Sequence, residues 1–245
     1  SVFVASLVLF IITSRRSPVP VLNLELFRFK GFVATLLSFV LINACFMGAL
    51  YLVPFYLDLG MGFNPMTSGL FLLIPSAVIF PLSARLGRLS DRTERRAFVV
   101  AACAMMAVFM IIYSMMTPEM GYAPLIIALV SMGLVWAIGG GAATSRIVEN
   151  VPKSESGSAS SLMSFTMYFG SALGTVLFAA FFGAGAGSKG VEFSQMTLTT
   201  FLDGFHLAMI IGLMLSLIAL VLAASVNEKK RHGSVVEAAA SCDPD

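Results

Sequence analysis

Long apolar runs separated by short polar breaks organise nearly the whole chain. Residues 31–57 run for 27 positions without a charge, more than the roughly 20 helical residues that a bilayer core requires. Five more runs of this kind follow at residues 66–84, 97–117, 122–145, 158–182 and 201–226. Their breaks are a connector at 58–65, a basic connector at 85–96, a Pro-Glu-Met-Gly turn at 118–121, a polar loop at 146–157 and a glycine-rich then polar stretch at 183–200. The pattern predicts six transmembrane helices. Pro54, Pro75 and Pro81 lie within them, which membrane helices tolerate because neighbouring helices re-satisfy the freed carbonyls.

The flanks read differently. Residues 1–12 are apolar but too short to span a bilayer, with neither the basic start nor the small-residue cleavage site of a signal peptide. They are expected to be the end of a truncated transmembrane helix. Residues 13–30 hold Arg15, Arg16, Pro18, Pro20, Arg28 and Lys30 and are expected to form a cytoplasmic linker, since Pro-x-Pro resists helix. Residues 31–226 form the six-helix domain, and 227–245 a polar cytoplasmic tail. The expected fold class is all-α: a polytopic membrane helical bundle of six complete spans, divisible into two three-helix repeats of the kind used by transporters.

Composition and charge sharpen this layout. Hydrophobic residues make up 58% of the 245 positions and charged ones 11%, against about 25% charged in soluble domains. The net charge of +2 is small and its basic residues abut apolar runs, the arrangement of membrane-flanking charges rather than of a nucleic-acid surface. Placing successive loops on alternate sides puts fourteen of the fifteen Lys and Arg residues on one side and leaves Lys189 alone on the other. Lys and Arg counts beside span ends set orientation, with the basic side cytoplasmic. Both ends of the six-helix domain are therefore expected in the cytoplasm. Cys45 and Cys103 fall in apolar runs and Cys242 in the tail, with no metal or redox spacing. No catalytic constellation, metal cluster or phosphate-binding loop is visible. The sequence thus points away from an enzyme and from a self-contained ATP-driven pump, and no cofactor is expected.

Candidate binding residues come from helical spacing. Asn43, Met47 and Tyr51 recur every fourth residue, as do Met132 and Trp136, and Ser164 and Tyr168, so each set shares a helix face. Converging at mid-membrane, these faces make a pocket of aromatic, sulfur and uncharged polar groups suited to a small lipophilic substrate. The alternative is interhelical packing, with Asn43 bonded to a neighbouring helix. Gly170 and Gly174 have the spacing that lets two helices approach closely. Asp203 and His206 lie one turn apart at the outer end of the sixth run, either as a titrating pair or as an interfacial cap and anchor. Asp58 and Glu119 sit at outer ends and are expected to be solvated. In the basic connector, Asp91 can accept from the first amides of the third span, and Arg92, Arg95 and Arg96 can pair with acidic groups, biasing one access state. The other reading of these arginines is topology and binding of anionic membrane lipids.

Three motifs carry a family resemblance. Gly87, Leu89, Asp91, Arg92, Arg95 and Arg96 are spaced as in the G-x-L-x-D-R-x-G-R-R/K loop of the major facilitator superfamily, with Glu94 where the second glycine usually stands. Pro65, Ser68, Gly69, Leu73 and Pro75 resemble the s-P-x-x-a-G-x-x-x-L-x-P run of its fourteen-span drug:proton antiporters. Gly157, Ala159, Ser160 and Leu162, then Gly170 and Gly174, are similar to a third pattern of that subfamily, although Met167, Tyr168 and Phe169 occupy positions where it commonly has an arginine. The resemblance implies the C-terminal six-helix half of a secondary transporter in a cell membrane, partnered by a missing N-terminal half. It further implies multidrug efflux by alternating access, with a proton gradient as energy source and the proton-handling residues in the missing half. It also implies a cavity lined by the first, second, fourth and fifth spans, a gating role for the basic connector, and a leak-blocking role for the glycine pair. A uniporter or importer of another solute, or a transport-incompetent membrane scaffold, are the other functions this sequence accommodates.

Overall fold

The computed structural model describes residues 30–92, 95–149, 156–187 and 197–225. Residues 1–29, Glu94, Lys189 and the tail from 226 lie outside the described residues, as do the side chains of Asp91, Arg92, Arg95 and Arg96. Six helices follow in order: α1 Lys30–Phe55, α2 Pro65–Arg92, α3 Arg95–Met115, α4 Tyr122–Glu149, α5 Ser156–Gly185 and α6 Leu198–Ser225. Among the described residues there is no strand, and all six helices are long and apolar enough to cross a membrane. The fold is an all-α polytopic bundle.

Helix ends differ from the hydropathy breaks in a consistent direction. α2 continues through Arg85 and Arg88 to Arg92, and α3 begins at Arg95, so most of the expected basic connector is helical. Hydropathy marks where a helix leaves the bilayer, not where its hydrogen-bond ladder stops. Arg and Leu favour helix, and Arg88 donates from Nε to the Ala84 carbonyl at 3.2 Å. For the same reason α4 runs past Ser145 to Glu149. Asp58, expected in a connector, lies in a π-helical turn, Tyr56–Gly60, that extends α1. Pro54 just before it lacks an amide hydrogen and crowds the preceding turn, and the wider turn closes with the Met61 amide donating to the Tyr56 carbonyl at 3.1 Å. A 3-10 turn, Pro118–Met120, joins α3 to α4.

The helix neighbours follow a pseudo-twofold rule. α1 packs most extensively on α5, and α2 on α4; α1 also packs on α6, and α3 on α4. Exchanging α1 with α4, α2 with α5 and α3 with α6 turns each pairing into its counterpart and the α3–α6 contact into itself, as two three-helix repeats require. The rule breaks once, because α5 packs on α6 far more than α2 does on α3.

The core gathers around α1, α3 and α6. Tyr56, Phe109, Tyr113, Phe201 and Phe205 are fully buried there, with Tyr56 stacked on Phe205 at 4.8 Å between ring centroids. Without a hydrophobic force between helices in lipid, packing and interhelical hydrogen bonds hold such a bundle together. Ser38 donates to the Ala219 carbonyl across α1 and α6 at 3.3 Å, and His206 Nε2 lies 2.9 Å from the Met116 carbonyl just beyond α3.

Candidate functional site: an uncharged aromatic cavity

Residues from four helices line an open cavity of about 400 Å³. Asn43, Phe46 and Met47 come from α1, Ile79 from α2, Trp136 from α4, and Met167, Tyr168 and Ser171 from α5. Asn43, Met47, Trp136 and Tyr168 of the spacing-derived set therefore meet around one space. No Asp, Glu, Lys, Arg or His is among its described lining residues. Tyr168 is 70% exposed, so the α5 rim of the cavity is open.

Two buried polar atoms beside this space are unusual. Asn43 is fully buried and its Nδ2 donates to the Phe39 carbonyl of its own helix at 2.8 Å, not to a neighbouring helix. Its Oδ1 has no hydrogen-bond partner among the described residues, and neither has Trp136 Nε1. A buried, unmade hydrogen bond costs about 1–3 kcal/mol, so the wall carries one unsatisfied acceptor and one unsatisfied donor. Edge-to-face contacts with Phe46 at 5.5 Å and Phe39 at 6.4 Å hold the indole of Trp136.

The remaining candidates lie elsewhere. Met132 is fully buried in the hydrophobic core one turn from Trp136. Tyr51 is half-buried and packs edge-on against Phe55 at 5.7 Å. Ser164 is exposed and donates back to the Ser160 carbonyl at 3.1 Å. Phe46, Ile79, Met167 and Ser171 escaped the spacing argument. Phe46 lies three residues from Asn43, and Met167 and Ser171 are themselves four apart, a signal present but shared by much of α5. Nothing in the sequence singled out Ile79.

Gly170 and Gly174 face α1. A methyl group on Gly170 would come within 2.7 Å of the Val40 carbonyl oxygen, and one on Gly174 would collide with the Ala44 backbone. Bare Cα atoms at these positions let α5 lie against α1 and bring Met167 and Ser171 to the cavity. At the outer end, Asp203 is exposed and forms no ion pair with His206 among the described residues, while His206 turns to the Met116 carbonyl. Asp58 and Glu119 are exposed. Gly87 lies on α2, near its end, and the rest of the connector motif flanks the passage from α2 to α3. The described residues hold no cluster of metal-ligating groups.

Six apolar helices paired by a pseudo-twofold rule around an uncharged cavity define a multi-pass membrane protein of the inverted-repeat transporter class. The sequence model of the Major Facilitator Superfamily matches residues 2–175, and the chain belongs to that superfamily. Among curated relatives, the multidrug efflux pump LfrA of Mycolicibacterium smegmatis is 25% identical over 185 residues, covering 75% of this chain and 36% of that protein. The riboflavin transporter RibZ of Clostridioides difficile is 25% identical over 164 residues, 66% of this chain and 35% of that protein. An uncharacterized MFS-type transporter, YwoD of Bacillus subtilis, is 27% identical over 168 residues, 67% of this chain and 36% of its own length. The chain thus spans little more than a third of each of these relatives.

Proposed function

We propose that this chain is the C-terminal six-helix half of a proton-coupled exporter of lipophilic small molecules that works by alternating access about a central cavity. The observation that carries the reading is the cavity itself: aromatic and thioether walls with no charged residue among its described lining residues. Its volume of about 400 Å³ falls in the range of small-molecule sites, about 300–1,000 Å³. Similarity to a multidrug efflux pump supports the same substrate class. With no ionisable carboxylate or imidazole on the cavity wall, the proton is handled in the partner half of the transporter, and the gradient stands in place of a cofactor. The protein lies in a cell membrane with both ends of the six-helix domain cytoplasmic, as the placement of fourteen of fifteen basic residues supports. Gly87, Asp91, Arg92, Arg95 and Arg96 act as the cytoplasmic gate, and membrane lipids bind their flanks.

The test is transport of a fluorescent lipophilic cation by the product of the full reading frame, reconstituted in vesicles with an imposed pH gradient. Uphill movement that collapses with the gradient is the expected result. Downhill flux indifferent to the gradient would replace the exporter with a uniporter. A second reading, carriage of a planar polar solute, is favoured by the similarity to a riboflavin transporter; competition by riboflavin in the same vesicles supports it, and a membrane scaffold moves neither solute.

A further inference from the structure

Trp136 is a wall between two spaces. Trp136 lines the large cavity and also a small, partly open void of about 10 Å³, which residues of α1 and α3 border together with Gly139 and Gly140 of α4. The two glycines do different work there. A methyl group on Gly139 would sit 2.6 Å from the Ala102 Cβ, so Gly139 keeps α4 close to α3. A methyl group on Gly140 would sit 2.9 Å from Trp136 Cε3 and 3.5 Å from its Cζ3, with no other described side chain or neighbouring helix within 4 Å. The indole therefore rests on the bare Cα of Gly140. No hydrogen bond pins it, since Nε1 has no partner among the described residues, and ring contacts with Phe39 and Phe46 hold it by shape alone.

From this arrangement we propose that Gly140 is a specificity-determining position: by lacking a side chain it seats Trp136 back in the wall, giving the cavity the depth to accept extended planar aromatic substrates. This rests on the reading of the cavity as the substrate site. Gly140 borders only the small void, whereas Trp136 borders both spaces. A methyl group at 140 therefore pushes the ring forward, toward the substrate. Ala also favours helix over Gly, so the substitution leaves α4 intact. Gly140 is a positioning residue, acting through Trp136.

The test uses the full-length transporter in vesicles and a series of equal charge and growing planar area: N-methylpyridinium, N-methylquinolinium and N-methylacridinium. For Gly140→Ala, three-ring transport is expected to fall about tenfold or more relative to the one-ring cation, the scale on which one methylene discriminates in an apolar pocket. Gly140→Ala combined with Trp136→Phe, a smaller ring, restores the three-ring cation. Thermal unfolding of each variant reports folding separately. A uniform loss across the series, or no rescue by the smaller ring, overturns the assignment while leaving the transport reading intact. A wild-type protein that moves none of the three cations overturns the transport reading and this assignment with it.

Discussion

Asn43 is a polar side chain whose burial is only half compensated. Its amide nitrogen is satisfied within α1 and its oxygen is sealed from solvent with no partner among the described residues, so a donor carried by a ligand gains that acceptor when the wall opens around Asn43 during transport. Asn43→Leu removes that acceptor and its desolvation cost together. Substrates that donate a hydrogen bond should then show a half-saturation concentration raised by roughly 2- to 10-fold, the worth of one net hydrogen bond, while substrates without a donor are unaffected and the unfolding temperature does not fall. Vesicle transport with a matched donor and non-donor pair, beside thermal unfolding, measures this. Asp91 is a contrasting case, falling in the last turn of α2. In the proposed cytoplasmic gate its carboxylate serves as a charged acceptor. Asp91→Ala should slow transport roughly tenfold, the scale of a charged hydrogen bond, with membrane insertion unchanged; wild-type flux would leave the basic motif with topology alone.

At the level of the elements, the contact between α1 and α5 determines whether the cavity exists. It depends on the absence of side chains at Gly170 and Gly174, because α1 presents backbone at both places, joined at Gly170 by the Asn43 Cβ, which is fixed to that backbone. Backbone cannot rotate out of the way, so overpacking is relieved only by separating the helices. Gly174→Val should destabilise the detergent-solubilised protein by about 1–3 kcal/mol, the usual cost of forcing extra methyl groups into a packed site. Gly183→Ala, on the same helix but with nothing within 4 Å of the added carbon, should be neutral or slightly stabilising. A comparison of the two unfolding curves separates close approach from simple glycine content. The gradient from charged helix ends to apolar middles has a similar logic: α2 and α4 outlast their apolar runs because helix is still favourable in water for Arg, Leu and Glu.

For the molecule as a whole, orientation is a sum over loops. No single basic residue sets it, and the asymmetry of fourteen to one tolerates the loss of several. In a variant with Cys45, Cys103 and Cys242 replaced, single cysteines at Asp58 and Glu119, both exposed, should react with a membrane-impermeant maleimide added to intact cells. A cysteine at Arg88, also exposed, should react only after permeabilisation. The opposite pattern would invert the bundle and with it the direction assigned to the basic gate. The pairing of α1 with α5 and of α2 with α4 makes the two repeats lean on each other, so each triplet supplies the packing surface that its counterpart lacks.

Helix number and fold class were legible in the sequence because each depends on a local sum, apolar length against bilayer thickness. Helical spacing also singled out Asn43, Met47, Trp136 and Tyr168, which border one space in the structure, since a face is defined by every third or fourth residue. Spacing names a face, however, and not what the face meets. Met132 and Trp136 share one face of α4, yet one is sealed in the core and the other opens on the cavity. Ile79 enters the cavity only because α2 packs against α4. The seat of Trp136 on Gly140 likewise exists only in the assembled bundle. These choices required the tertiary structure because the distance between two helices depends on both of their surfaces at once, and neither stretch of sequence contains the other.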